Sequence, residues 1–256
     1  MITTRLLRHI NALRCLRLLQ GGASLSRADM ARAMGQTRAT VGHAVAELVA
    51  EGLVIETETT ASGIGRPGVA LRLNPEGAQF IGIEIDTRAI SALVLNLDMQ
   101  VIRRYCEPTG DAFADPQAIT SRILDIARSL ATPQTQGLGL AIPGLVGTEG
   151  QIVNAPLLGW RNHPMQALLQ ADLPDWGVEV VNDAFAFASA ELTGEQPPQN
   201  LLMVLLAEGI GAAQVAQGRL IAGAHGFAGE LGHMRIATTS AAGKFEALAG
   251  RQDFRR

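Results

Sequence analysis

Four residues near the start of the chain have the types and spacing to meet a polyanion. Thr37, Arg38, Thr40 and His43 lie close together, ahead of an apolar pattern at Val41, Val45, Leu48 and Val49. Spacings of three and four predict a helix over 37–51 whose buried side is that apolar stripe. Thr37 is placed to cap it, and the unpaired N–H groups and dipole of a helix start favour a phosphate oxygen. Arg38, Thr40 and His43 fall on the first turns, where a groove-reading helix presents side chains to bases or phosphates. An arginine set against guanine discriminates by about 1–3 kcal/mol. Arg66, between Gly65 and Pro67, is a fifth candidate, since a bare loop can lay an arginine in a narrow minor groove. If the same helix served protein contact instead, Arg38 and His43 would only be solvated.

The surrounding elements are those needed to hold such a helix. Leu6, Ile10, Leu13, Leu16 and Leu19 predict a first helix with these residues on its buried face, ended by Gly21 and Gly22. Ser26 and Asp29 form a capping-box pair for a short helix, RADMARAM, that stops at Gly35. Gly52, just past the longer helix, suits a left-handed terminating position. Two helices around a tight turn, the second longer, make a helix-turn-helix. Then Leu53-Val54-Ile55 and Val69–Leu73 flank GIGRPG, the pattern of a β-hairpin wing. Residues 1–74 are therefore expected to be a winged helix-turn-helix domain. Residues 1–72 hold 9 Arg and 5 acids, 9 − 5 = +4, which leaves −7 of the total −3 to the rest. A basic head on an acidic body directs only the head toward DNA.

The 256 residues, 47% hydrophobic and 18% charged, are those of a globular chain able to bury a core. No apolar run nears the roughly 20 residues that span a bilayer, and the Arg-interleaved N-terminus lacks a signal-peptide core. A cytoplasmic protein without membrane contact is expected. Cys15 and Cys106 stand in no metal-ligand spacing and are expected to be buried free thiols.

The body begins near Asn74-Pro75, and 75–256 is expected to be one ligand-sensing domain. Phe80–Ile85, Ala89–Asn96 and Gln100–Glu107 read as three consecutive strands, followed by an amphipathic helix over 116–131. Strands are expected at Gly137–Ile142, Val178–Val181 and Leu201–Leu206, with an Ala-rich helix after Asn182-Asp183 and a hairpin around Gly218. The order predicts an α/β domain with an internally duplicated sheet.

Four segments of this body resemble the signature of the ROK family: LGLAIPGLVGTEGQIVNAPLLGW (138–160), VVNDAFAFASAELTG (180–194), EGIGAAQVAQGRLIAG (208–223) and GFAGELGHMRI (226–236). They follow one another as in that family's repressors, behind a helix pair and GRP wing of matching type. The resemblance implies an actin-like sugar-kinase fold, here with an incomplete second lobe, and a sugar held between lobes. It implies that Asn182, Asp183, Glu230, His233 and Glu246 bind the sugar, Asp183 being the base in kinase members. Apart from the resemblance, Asp183 could serve as a helix cap, and Glu230 and His233 could be solvated turn residues.

The departures from the family carry information too. Its Asp-Ile-Gly-Gly-Thr phosphate loop is here Glu84-Ile85-Asp86-Thr87-Arg88, and its second phosphate segment is Ala207-Glu208-Gly209-Ile210-Gly211. Glu208, with Asp86 behind it, is expected to repel a nucleotide phosphate by roughly 3 kcal/mol at about 5 Å and an effective dielectric near 20. The family's zinc cysteines are missing, so no metal and no cofactor are expected. Leu157 and Phe185 replace two asparagines, which leaves the effector's identity open between a sugar and a sugar phosphate. The expectation is a non-enzymatic, homo-oligomeric repressor of carbohydrate-use genes that binds double-stranded operator DNA. The alternatives are a ligand-insensitive DNA-binding protein whose body mediates assembly, and a sugar kinase with an added DNA-binding domain.

Overall fold

The computed structural model describes residues 4–58, 69–110, 114–193, 196–237 and 242–245. The chain forms two compact units: 1–80 with 94–103 and 132–135, and 81–93 with 104–131 and 136–256.

In the first unit, α1 (Thr4–Leu19) is followed by a short strand β1 (Leu25–Ser26), α2 (Arg27–Met34) and α3 (Arg38–Ala50). The Ser26–Asp29 capping box forms in both directions, and Gly35 ends α2 in the left-handed conformation at φ 63°. Gly52 follows α3 at φ 73°. β2 (Val54–Glu58) and β3 (Val69–Leu73) pair antiparallel with β1 in the order β1-β3-β2. Cys15, Leu19, Met30, Val41, Val45, Leu48, Val54 and Leu71 fill the core, with Leu97 packed against it. Ala12, Leu16 and Leu18 of α1 also pack there, whereas Ile10 is 39% and Leu13 45% exposed. The expected inner face of α1 is thus rotated. With leucines all around the helix, the packing of Cys15 and Leu19 beneath α3 decides which ones are buried.

Asn74 ties the end of the first unit's sheet to the end of α3. Its side-chain amide donates to the Gly52 carbonyl at 2.7 Å, and its backbone N–H donates to Leu53. Gly77 lies so close that a Cβ there would stand 2.4 Å from the Gly52 oxygen, which only glycine tolerates.

The body's main sheet has the order β11-β7-β4-β5-β6. Its strands are β4 (Gln79–Ile85), β5 (Ala89–Asn96), β6 (Val101–Pro108), β7 (Thr135–Ile142) and, after three short strands, β11 (Gly177–Asn182). The short strands are β8 (Leu145–Val146), β9 (Ile152–Ala155) and β10 (Trp160–His163), which form a sheet of their own. α4 (Pro116–Leu130) buries Ile119, Ile123, Ile126, Ala127 and Leu130, the expected stripe. α5 (Met165–Asp172) and α6 (Asp183–Glu191) complete the helices. β12 (Asn200–Leu206), β13 (Ile210–Ala216) and β14 (Arg219–Leu220) make a separate antiparallel meander. Leu201, Met203 and Leu205 of that meander pack on Ala184 and Ala188 of α6. The last described pair is β15 (Arg235–Ala237) with β16 (Ala242–Lys244). No helix among the described residues is long and apolar enough to cross a membrane. Cys15 is a buried free thiol as expected, but Cys106 is exposed, because β6 is an edge strand.

His163 is buried on β10, with Nε2 3.0 Å from the Thr120 hydroxyl. That hydroxyl also lies 2.7 Å from the Pro116 carbonyl, to which it donates. Burial holds the His163 pKa below the ordinary histidine value. The unfolded chain therefore binds this proton more readily, and the fold loses stability as pH falls below about 6.5. We expect Tm to drop across that range in a pH series of thermal unfolding, and His163→Gln to flatten the drop. An unchanged pH slope in the variant would refute this role for His163.

Candidate functional site

The two sets of candidate residues lie in different units. In the first, Thr37 caps α3, its Oγ1 accepting from the Thr40 N–H at 3.1 Å. The two threonine hydroxyls also lie 2.9 Å apart. Arg38 and His43 are exposed, and neither makes a hydrogen bond or ion pair among the described residues. Three other arginines of the unit are engaged: Arg27 with Glu56 at 2.5 Å, Arg32 with Asp29, and Arg14 with the Met34 carbonyl. The open face of α3 also carries Ala39, Ala46 and Ala50, which apolar-pattern reasoning passed over. Their small size was the available signal, because it lets a helix backbone approach a flat partner. Arg66 and Glu246 lie outside the described residues.

In the second unit, the parallel pairing of β11 with β7 brings Asn182 opposite Ile142, at the ends of their strands. Asn182 is the cap of α6. Its Oδ1 accepts from the Phe185 N–H at 3.3 Å, and its Nδ2 donates to the Gly144 carbonyl at 3.0 Å. Both ends of this carboxamide are spent on bracing the strand–helix corner. Asp183, the first residue of α6, accepts from the Ala184 N–H at 2.8 Å. Burial, seconded by the charge of Glu84 and opposed by that N–H, pushes its carboxyl up to about 6. Glu84 is raised in turn by burial and by Asp86. Glu84 and Asp86 stand in the segment that corresponds to the ROK phosphate loop, and the strand order sets Glu84 where its charge acts on Asp183.

Glu230 and His233 pair with each other, Nδ1 to Oε2 at 3.2 Å, around a short 3-10 turn. Strand β13 is their link to Asp183. A Cβ on Gly211 would lie 3.9 Å from the Asp183 Oδ1, and one on the next-door Gly229 would lie 2.1 Å from the Ala212 oxygen. Gly229, at φ 93°, is thus required for the close approach of the Glu230 segment to β13. The structure brings both pairs to adjacent residues of one strand.

Glu208 does not stand as a bare charge. Its carboxylate holds the Arg88 guanidinium at 2.6 Å, joining the β4–β5 turn to the β12–β13 turn. Asp86 is exposed and bonds its own loop, its Oδ1 accepting from the N–H groups of Arg88 at 2.5 Å and Ala89 at 2.8 Å. Both carboxylates are thus bonded within the protein, Asp86 to its own loop and Glu208 to Arg88. Among the described residues there is no cluster of three or more His, Cys, Asp or Glu able to hold a metal.

For Asp183 the sign of the pH effect is opposite to that of His163. Its folded pKa of about 6 lies above the ordinary value near 3.9, so the charge costs stability above about pH 6 and nothing below about pH 4. The two-unit difference corresponds to roughly 3 kcal/mol at most. Asp183→Asn keeps the acceptor for Ala184 and is expected to raise Tm at pH 8 but not at pH 4. A carboxyl titration near pH 4 by NMR would refute it.

A family model described as ROK family matches residues 80–248. The xylose repressor of Caldicellulosiruptor bescii is 31% identical over 244 residues, covering 90% of this chain and 60% of that protein. The chain thus spans about three fifths of the length of this curated relative. A crystal structure of a ROK family transcriptional regulator, a homologue of the E. coli MLC protein, superposes with a TM-score of 0.81 at 25% identity, covering 97% of this chain and 66% of that one. The inorganic polyphosphate/ATP-glucomannokinase of Arthrobacter sp. strain KM superposes with a TM-score of 0.57 at 28% identity, covering 70% and 71%. With the family model spanning well over half of its length, this chain belongs to the ROK family.

Proposed function

We propose that the chain is a sugar-responsive transcription repressor, in which 1–74 is a winged helix-turn-helix domain and 75–256 a sensing domain of sugar-kinase type. The observation that carries the reading is α3: a capped helix whose first turns expose Arg38 and His43, without partners among the described residues, while Arg14, Arg27 and Arg32 are bound within the fold. Thr37 and Thr40 complete the contact surface, and Arg66 belongs to the wing. The names of the relatives add the rest, since the similar protein of Caldicellulosiruptor bescii is a xylose repressor. In the sensing domain, Asp183, Glu230, His233 and Glu246 take the hydroxyls of a monosaccharide, and Asn182 braces the corner that holds Asp183. The β12–β14 meander opens a second lobe that duplicates β4–β6. The active species is a homo-oligomer presenting two copies of α3 about one helical turn of DNA apart.

Catalysis is not part of this reading. Kinase chemistry depends on backbone and cations that neutralise the transferring phosphate, and here the corresponding N–H groups already bond Asp86. A ligand-insensitive role finds support in Asn182, whose carboxamide bonds the Gly144 carbonyl and the Phe185 N–H, and in Leu157, which is 43% exposed. Selection of bound fragments from a duplex DNA pool, followed by anisotropy titrations at stated salt, tests the proposal. The native chain should bind a palindromic site that D-xylose or another monosaccharide releases. Arg38→Ala should weaken binding about tenfold. Binding of random duplex as tightly as the selected site, or an Arg38→Ala variant of native affinity, would remove the DNA-reading claim. Sugar-independent affinity would favour the ligand-insensitive role.

A further inference from the structure

We infer that the sensing pocket accepts an uncharged sugar and rejects phosphorylated ones, because the protein's own carboxylates occupy the places where a phosphate would be recognised. This rests on the sugar-sensor reading and decides the effector class within it.

A phosphate is recognised by backbone N–H groups at turns and helix starts, and by cations. Around Asp183 donors of both kinds are engaged internally. At the start of α6, the Ala184 N–H goes to Asp183 and the Phe185 N–H to Asn182. In the β4–β5 turn, the N–H groups of Arg88 and Ala89 go to Asp86. The guanidinium of Arg88 goes to Glu208. These groups adjoin one another: Glu208 holds Arg88, Asp86 bonds the Arg88 backbone and acts on Glu84, and Glu84 acts on Asp183. Gly211, three residues beyond Glu208, packs against the Asp183 carboxylate.

The charges that bear on Asp183 and Glu84 are therefore carboxylates. Neutral hydroxyls donate to such groups, whereas a phosphate a few ångströms away meets like charge. At about 5 Å and an effective dielectric near 20, one such repulsion lowers affinity by on the order of a hundredfold. A phosphate would also have to displace an internal acceptor at each of these four N–H groups.

Calorimetry on the full chain, with D-xylose, D-glucose, xylose 5-phosphate and glucose 6-phosphate as probes, tests this. A neutral sugar should bind, with its phosphate ester at least about a hundredfold weaker. Glu208→Gln releases the Arg88 guanidinium and should narrow that ratio about tenfold. Thermal unfolding checks that the variant folds; if it does not, the native comparison decides by itself. A phosphorylated sugar that binds as tightly as its neutral parent overturns the inference while leaving a sugar sensor in place. An unaltered ratio in folded Glu208→Gln overturns the part assigned to the Arg88–Glu208 bridge. If none of the four probes binds, the sensor reading falls and the inference with it.

Discussion

A backbone N–H at a helix start or tight turn has no partner in the ladder, and how those groups are satisfied shapes the chemistry of several segments of this chain. In this protein, short polar side chains next to each turn supply the acceptors. Ser26 and Thr37 do so for α2 and α3, Asp115 for α4 through Gln117, and Asn182 and Asp183 for α6. Asp86 does the same for the β4–β5 turn. At the helices of the first unit this is ordinary capping. At the β4–β5 turn and the start of α6 it has a chemical consequence, because N–H groups satisfied from within are not open to an anion.

The electrostatics of the pocket follow from that arrangement. Asp86 is positioned by the N–H groups it accepts, and its charge then burdens Glu84, as that of Glu84 burdens Asp183. Carboxylates this close are tolerated only through partial protonation or cationic compensation. Asp183 takes the first course, with its raised pKa, and Glu208 the second, with Arg88. The Arg88–Glu208 pair is partly exposed, and such pairs contribute at most about 1 kcal/mol to stability. Its importance lies in where it holds the guanidinium rather than in how firmly it ties two turns.

Burial acts on His163 and Asp183 with opposite outcomes for one reason. Each is kept neutral by loss of water, and neutrality means proton loss for the imidazole and proton gain for the carboxyl. The two groups also differ in satisfaction. His163 is bonded to Thr120 within a closed packing environment, as a structural histidine should be. Asp183 sits at a strand end beside Gly211, its carboxyl bonded to the neighbouring Ala184 N–H and burdened by Glu84.

Local order was legible in the residues themselves. The Ser26–Asp29 box, the left-handed glycines at 35 and 52, the Thr37 cap, the α4 stripe and the long strands are all settled by interactions within a few positions, which spacing reports directly. Long-range partners were not legible. Nothing in the sequence near Glu208 points to Arg88, 120 positions earlier, and nothing near Asp183 points to Glu84. The rotated inner face of α1, the exposure of Cys106 on an edge strand and the small β8–β10 sheet were likewise decided by which elements came to lie together. Periodicity measures a residue against its own helix or strand. Charge pairing, desolvation and edge position depend on strand order, and only the tertiary structure sets that.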